Sequence, residues 1–199
     1  MWRHHPQARK LTELLPTVGE LRLVRASFSF PLEGTGDLRQ SAELEGGALM
    51  DVGCYCLSGA RLVAGEPTEV LGAQVSGGDG VDVRFTGAMR FPGDVLAEFD
   101  CGIDMADRYS LEVVGSEGSL LLKDPWHSLK PLLEVRAADG SVDEVRAEEA
   151  DPYACELRDL AAAVAGEREP LLGRADALGQ ARAIAALYQS ARSGHVVRL

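Results

Sequence analysis

The sequence lacks long apolar runs, clustered positive charge and any cysteine or histidine spacing that suits a metal. No stretch approaches the roughly 20 apolar residues that a membrane-spanning helix needs. After Met1 come Trp-Arg-His-His and a charged stretch, without the apolar centre of a secretory signal, so a cytoplasmic chain is expected. The only lysines are Lys10, Lys123 and Lys130, and 20 Lys+Arg against 31 Asp+Glu leave a net charge of −11. Nucleic-acid binding requires a basic face, and anionic lipid attracts the same sign, so neither partner is expected. The four cysteines, Cys54, Cys56, Cys101 and Cys155, form no Cys-x-x-Cys pair and read as reduced thiols. His4 and His5 are adjacent but have no partners at ligand spacing, and His127 and His195 are isolated, so no metal is expected.

What is present is an ordinary globular composition. The 199 residues are 46% hydrophobic and 26% charged. A chain of this mass buries roughly 70% of its unfolded surface, which suits one domain. Residues 6–15 predict a short helix, because Pro6 suits a first turn and Leu11, Leu14 and Leu15 share a face. Residues 1–20 form this leading segment, and the alternating run 21–30 predicts the first strand. Residues 31–45 are polar and read as a loop, and 47–64 read as a helix ending at Gly65, within a motif segment spanning 46–65.

Residues 66–150 predict a sheet. Strand candidates are 69–75, 81–91, 95–101, 108–114 and 119–123, with two weaker ones flanking 138–141. Their short turns imply antiparallel meanders rather than βαβ crossovers. In the helical segment 151–199, Leu157, Leu160, Ala161 and Val164 lie on one stripe, and Leu178, Ala181, Ile184, Ala185 and Tyr188 on another. Residues 196–199 are expected to return as a last strand. The fold class is α+β: one large, mostly antiparallel open sheet with helices packed on one face.

Gly34-Thr-Gly36-Asp-Leu-Arg39 begins like a phosphate loop, but its third position is arginine and Asp37 would repel a pyrophosphate. Gly115-Ser-Glu-Gly118 reads as a turn between strands. The informative stretch runs from Gly46 to Cys56. Asp51 and Tyr55 are spaced i, i+4 and project from one helical face. Gly53 between them costs about 1 kcal/mol against alanine, which makes sense where something approaches the helix closely. A carboxylate and a phenol beside such a glycine can bind and deprotonate a hydroxyl. The same residues also suit a plain role, with Asp51 favoured by the helix dipole and Tyr55 as half-buried packing.

Glu45-Gly-Gly-Ala-Leu-Met-Asp-Val-Gly-Cys-Tyr-Cys56 resembles the helix motif of the C-terminal domain of the Gfo/Idh/MocA oxidoreductases, glycines followed by Asp-x-Gly-x-His/Tyr. Trp2-Arg-His-His-Pro6 is similar to the Tyr-Arg-Phe-His-Pro segment that opens that domain. Val18–Phe30, Asp37–Arg39, Gly115–Gly118 and Tyr153–Leu157 match in the same order, so the likeness covers nearly the whole chain. Tyrosine flanked by cysteines is most like the branch of sugar dehydrogenases and dihydrodiol dehydrogenase. The resemblance implies hydride transfer between NAD or NADP and a sugar, polyol or related hydroxyl. It implies Tyr55 and Asp51 as the catalytic pair, Gly53 as the close-approach glycine, and Arg39, Arg3 and Trp2 as substrate-binding residues.

That family also has a Rossmann domain and a Glu-Lys-Pro lysine. Only 20 residues precede the first strand here, one βαβ unit takes about 30, and no lysine lies in Glu-Lys-Pro. No cofactor site is therefore expected in this chain. Three readings stay open: the substrate-binding and oligomerisation half of an oxidoreductase, with little or no activity alone; a chain working with a separate nucleotide-binding subunit; and a non-catalytic binding or assembly domain. Each leaves an apolar helical surface uncovered, so a homo-oligomer is expected.

Overall fold

A computed structural model describes residues 1–34, 36–78 and 80–199. Helix α1 (Pro6–Leu14) starts where His5 Nδ1 accepts the amide of Gln7, 3.0 Å away, with Pro6 in its first turn. A 3-10 turn then leads into strand β1 (Leu21–Pro31). Two further 3-10 turns, Leu38–Gln40 and Ala42–Leu44, give the following segment local structure within the expected loop. The motif segment opens with a π-helical turn, Leu49–Gly53, and continues as α2 (Cys54–Ala64), which stops at Gly65.

The strands that follow are β2 (Glu69–Ser76), β3 (Asp82–Arg90), β4 (Leu96–Gly102), β5 (Asp104–Gly115), β6 (Gly118–Leu122), β7 (Leu132–Ala137) and β8 (Val142–Arg146). Helices α3 (Pro152–Val164) and α4 (Arg174–Ser193) come next, and β9 (Val197–Arg198) closes the chain. One sheet runs in the order β8-β7-β6-β5-β1-β4-β3-β2-β9. The meanders β2–β4 and β5–β8 are antiparallel as expected. The exception is central: β1 enters between them and runs parallel to β4, with Ala26 opposite Phe99. The connection through α2 permits this, because parallel neighbours need a long crossover.

Alternation along the strands divides the sheet into two faces. Val24, Ala26, Phe28, Phe85, Phe99, Leu111 and Leu120 are buried in the core with Leu49, Leu57 and Leu187 of the helical layer. The other face carries Arg25 paired with Glu98 and Arg108 paired with Asp100. Helix α3 leans on the turn Trp2–His4, so its predicted stripe stays open: Leu157 is 65% exposed, Leu160 56% and Val164 81%. Among the described residues no helix is long and apolar enough to cross a membrane.

Candidate functional site

The motif segment is fixed at its N-terminal end by a residue distant in sequence. Asp82, at the start of β3, accepts the amide of Leu49 at 2.7 Å on Oδ2 and the hydroxyl of Tyr188 at 2.9 Å on Oδ1. A free helical N–H is thus capped from another element. Gly47 makes room for it. Its φ is +121°, and a Cβ there would lie 2.2 Å from Asp82 Oδ1. Burial raises the Asp82 pKa, opposed by its hydrogen bonds from Leu49 and Tyr188.

The sequence analysis missed Asp82 and Tyr188 because no local pattern marks them. They lie 33 and 139 residues beyond Leu49 and meet only in the fold.

Asp51 lies in the π-helical turn, and Arg39 reaches it from the segment before: Nε is 3.0 Å from Asp51 Oδ2. The guanidinium also donates through Nη1 to Asp37, at 3.2 and 3.1 Å. The Asp37 carboxylate in turn accepts the Arg39 amide at 2.9 Å. The charge of Asp51 heads the causes that raise the Arg39 pKa, so this cation is held firmly. Two predicted site residues are therefore in contact.

Tyr55 follows in the first turn of α2. Its half-buried ring meets Phe28 edge-on at 5.3 Å and Trp126 at 6.2 Å. The described residues give its hydroxyl no hydrogen-bond partner. Burial first, then the neighbouring Cys54, Tyr153, Asp51 and Glu156, push its pKa up to about 12. The phenol is therefore protonated at neutral pH and available as a donor.

The other expected site residues are placed differently. A Cβ on Gly53 would lie 2.7 Å from Cys101 Sγ and 2.9 Å from Leu49 Cδ1. The close approach at Gly53 is thus that of strand β4, a packing demand rather than room for a ligand. Trp2 is buried, edge-on to Trp126 at 5.1 Å, so it lies behind Tyr55 instead of lining a cleft. Arg3 donates to Asp176 Oδ1 at 2.9 Å, and Arg61 lies 3.4 Å from the same oxygen. Both residues therefore tie their segments to α4 at Asp176.

Gly34 and Gly36 have positive φ, but the 3-10 turn after them is capped by Asp37, whose carboxylate opposes a phosphate. No group of three metal-ligating side chains comes together among the described residues, and all four cysteines are free. Burial pushes the Cys54 thiol up to about 12, which makes it a poor nucleophile.

The family model described as the GFO/IDH/MocA C-terminal domain matches residues 9–121. The chain is 32% identical to D-xylose 1-dehydrogenase (NADP(+)) 2 of Haloferax volcanii, over all of its own length and 63% of that protein. It is 32% identical to trans-1,2-dihydrobenzene-1,2-diol dehydrogenase of Bos taurus, over 63% of this chain and 38% of that one. Among solved structures, a 3-ketoreductase from Actinomadura kijaniata in complex with NADP and TDP-benzene superposes with a TM-score of 0.86 at 28% identity, covering 95% of this chain and 60% of that one. The chain thus spans less than two thirds of the length of the proteins it matches.

Proposed function

Because the chain belongs to the GFO/IDH/MocA family, as its C-terminal domain, we propose that it is the substrate-side half of an NAD(P)-dependent oxidoreductase acting on a sugar, polyol or related hydroxyl compound. One observation carries this reading. The motif segment presents Asp51, already paired with Arg39, and one turn later a protonated phenol with no hydrogen-bond partner among the described residues.

Their roles follow from charge. Tyr55 donates a hydrogen bond to the reacting oxygen of the substrate and gives up its proton as negative charge develops there. Working as a base would require the phenolate, which burial and Asp51 both oppose. Arg39 offers little help, since Asp51 and Asp37 already take its charge. The chain alone is therefore set for proton donation toward a carbonyl. Asp51 orients the site by holding Arg39 over the start of the motif and accepts hydrogen bonds from substrate hydroxyls.

The test joins this chain to the nucleotide-binding half of a relative. The fusion should reduce a sugar-derived carbonyl with NADPH, and Tyr55→Phe should lower kcat by about 100-fold, within the usual range for loss of an acid–base group. A folded fusion without activity overturns the reading.

The uncovered stripe on α3 favours a second reading, a non-catalytic assembly domain that binds a separate nucleotide-binding chain or a second copy. On that reading, association survives Asp51→Asn with Tyr55→Phe but is lost in Leu160→Glu.

A further inference from the structure

Tyr55 belongs to an aromatic cluster centred on Phe28. Around that ring stand Tyr55 at 5.3 Å, Tyr109 at 5.3 Å, His127 at 5.5 Å and Trp126 at 6.1 Å. His127 and Tyr109 also touch edge-on at 4.8 Å. His127 comes from the β6–β7 loop, which is held firmly. Asp124 accepts the backbone amide of Leu129 at 3.0 Å on Oδ2, and that of His127 at 3.4 Å on Oδ1. Trp126, next to His127, donates its indole N–H to the Ser27 carbonyl at 2.8 Å.

The same Asp124 Oδ1 lies 3.2 Å from His127 Nδ1. In the tautomer that donates from Nδ1 to this carboxylate, Nε2 is free to accept. Second-group orientation of this kind fixes a histidine tautomer and its ring plane. The imidazole is 42% exposed and lines a hollow of about 660 Å³. Tyr153 lines the same hollow. Phe28, whose ring meets both His127 and Tyr55, links this hollow to the Tyr55 site.

We propose that His127, oriented by Asp124, recognises a second hydroxyl of a polyhydroxy substrate whose reacting oxygen meets Tyr55. A fixed acceptor nitrogen among aromatic rings suits a sugar, which offers hydroxyl donors on its rim and C–H groups on its faces. The inference rests on the role given above to Tyr55.

The test uses the 199-residue chain. D-xylose and cyclohexanol, a ring with a single hydroxyl, are titrated against the wild type, His127→Phe, His127→Gln and Tyr55→Phe. Binding is followed by saturation-transfer NMR and by the imidazole ¹⁵N shifts. In the wild type the shifts should read an Nδ1–H tautomer, with Nε2 moving as D-xylose binds. His127→Phe keeps the ring packing and should weaken D-xylose roughly tenfold, as loss of one hydrogen bond predicts, while leaving cyclohexanol unchanged. His127→Gln keeps an acceptor and should retain most of the affinity. Tyr55→Phe should weaken both ligands.

If His127→Phe leaves D-xylose binding intact while Tyr55→Phe weakens it, the His127 inference alone falls. Equal loss of both ligands in His127→Phe shows a merely structural role and overturns it too. If D-xylose does not bind the wild type, or Tyr55→Phe changes neither ligand, the reading of the Tyr55 site falls with it.

Discussion

At the scale of single residues, Asp82 carries more of the site's geometry than Asp51 does. It caps the motif from across the fold while nearly excluded from water. Its folded-state pKa is raised above the ordinary aspartate value, with burial the largest cause. The native state therefore holds the Asp82 proton more tightly than the unfolded chain does. The contribution of this group to stability is fullest below the ordinary aspartate range and declines as pH rises through the raised value. Asp82→Asn keeps an acceptor for Leu49 but cannot ionise. The wild-type advantage over this variant should shrink as pH rises across that interval, measured by urea unfolding. Asp82→Ala, which removes both hydrogen bonds, should cost about 2 kcal/mol at low pH, and that cost should also shrink as pH rises through the raised value. Arg39, which only the family resemblance pointed to, reaches Asp51.

At the scale of elements, the motif helix itself was legible and its opening was not. The apolar pattern and Gly65 predict a helix to residue 64, and α2 ends at Ala64. The π-helical turn was not predictable, because it depends on where Asp82 holds Leu49 and where Cys101 presses on Gly53. Gly53→Ala should destabilise the chain by about 2 kcal/mol, since the new methyl overlaps a buried sulfur. Cys101→Ala removes that sulfur, so in the double variant the cost of Gly53→Ala should fall by at least half. A double-mutant cycle from chemical denaturation measures this, and additive losses would mean that Leu49 rather than Cys101 sets the limit. The parallel pairing of β1 with β4 was invisible for a similar reason. Both strands alternate alike, and alternation gives a strand's faces but not its neighbours.

At the scale of the whole molecule, the division of surfaces matters most. The outer sheet face is dressed in exposed ion pairs such as Arg25 with Glu98 and Arg84 with Asp104, each worth little in water. The helical side instead leaves Leu157, Leu160 and Val164 of α3 to solvent. Uncovered apolar surface of this kind marks an interface more often than a free surface. The proposed division of labour leaves the dinucleotide to another domain. Titration of the chain with NADPH, followed by nicotinamide fluorescence, should therefore show no saturable binding. Saturable binding would place a cofactor site within this chain and overturn the division of labour proposed for it.

The sequence by itself determined the α+β class and nearly every element, and its i, i+4 spacing singled out Asp51 and Tyr55 as candidates, because periodicity, turn residues and short-range spacing are local properties. Arg39 was named only by the family resemblance. Only the tertiary structure decided that Trp2 lies buried, that Gly53 answers to Cys101, and that Asp82, Tyr188 and His127 stand around the motif. Those placements depend on contacts between residues far apart in the chain, which close only when the sheet brings β1, β3, β4 and the β6–β7 loop under one helical layer.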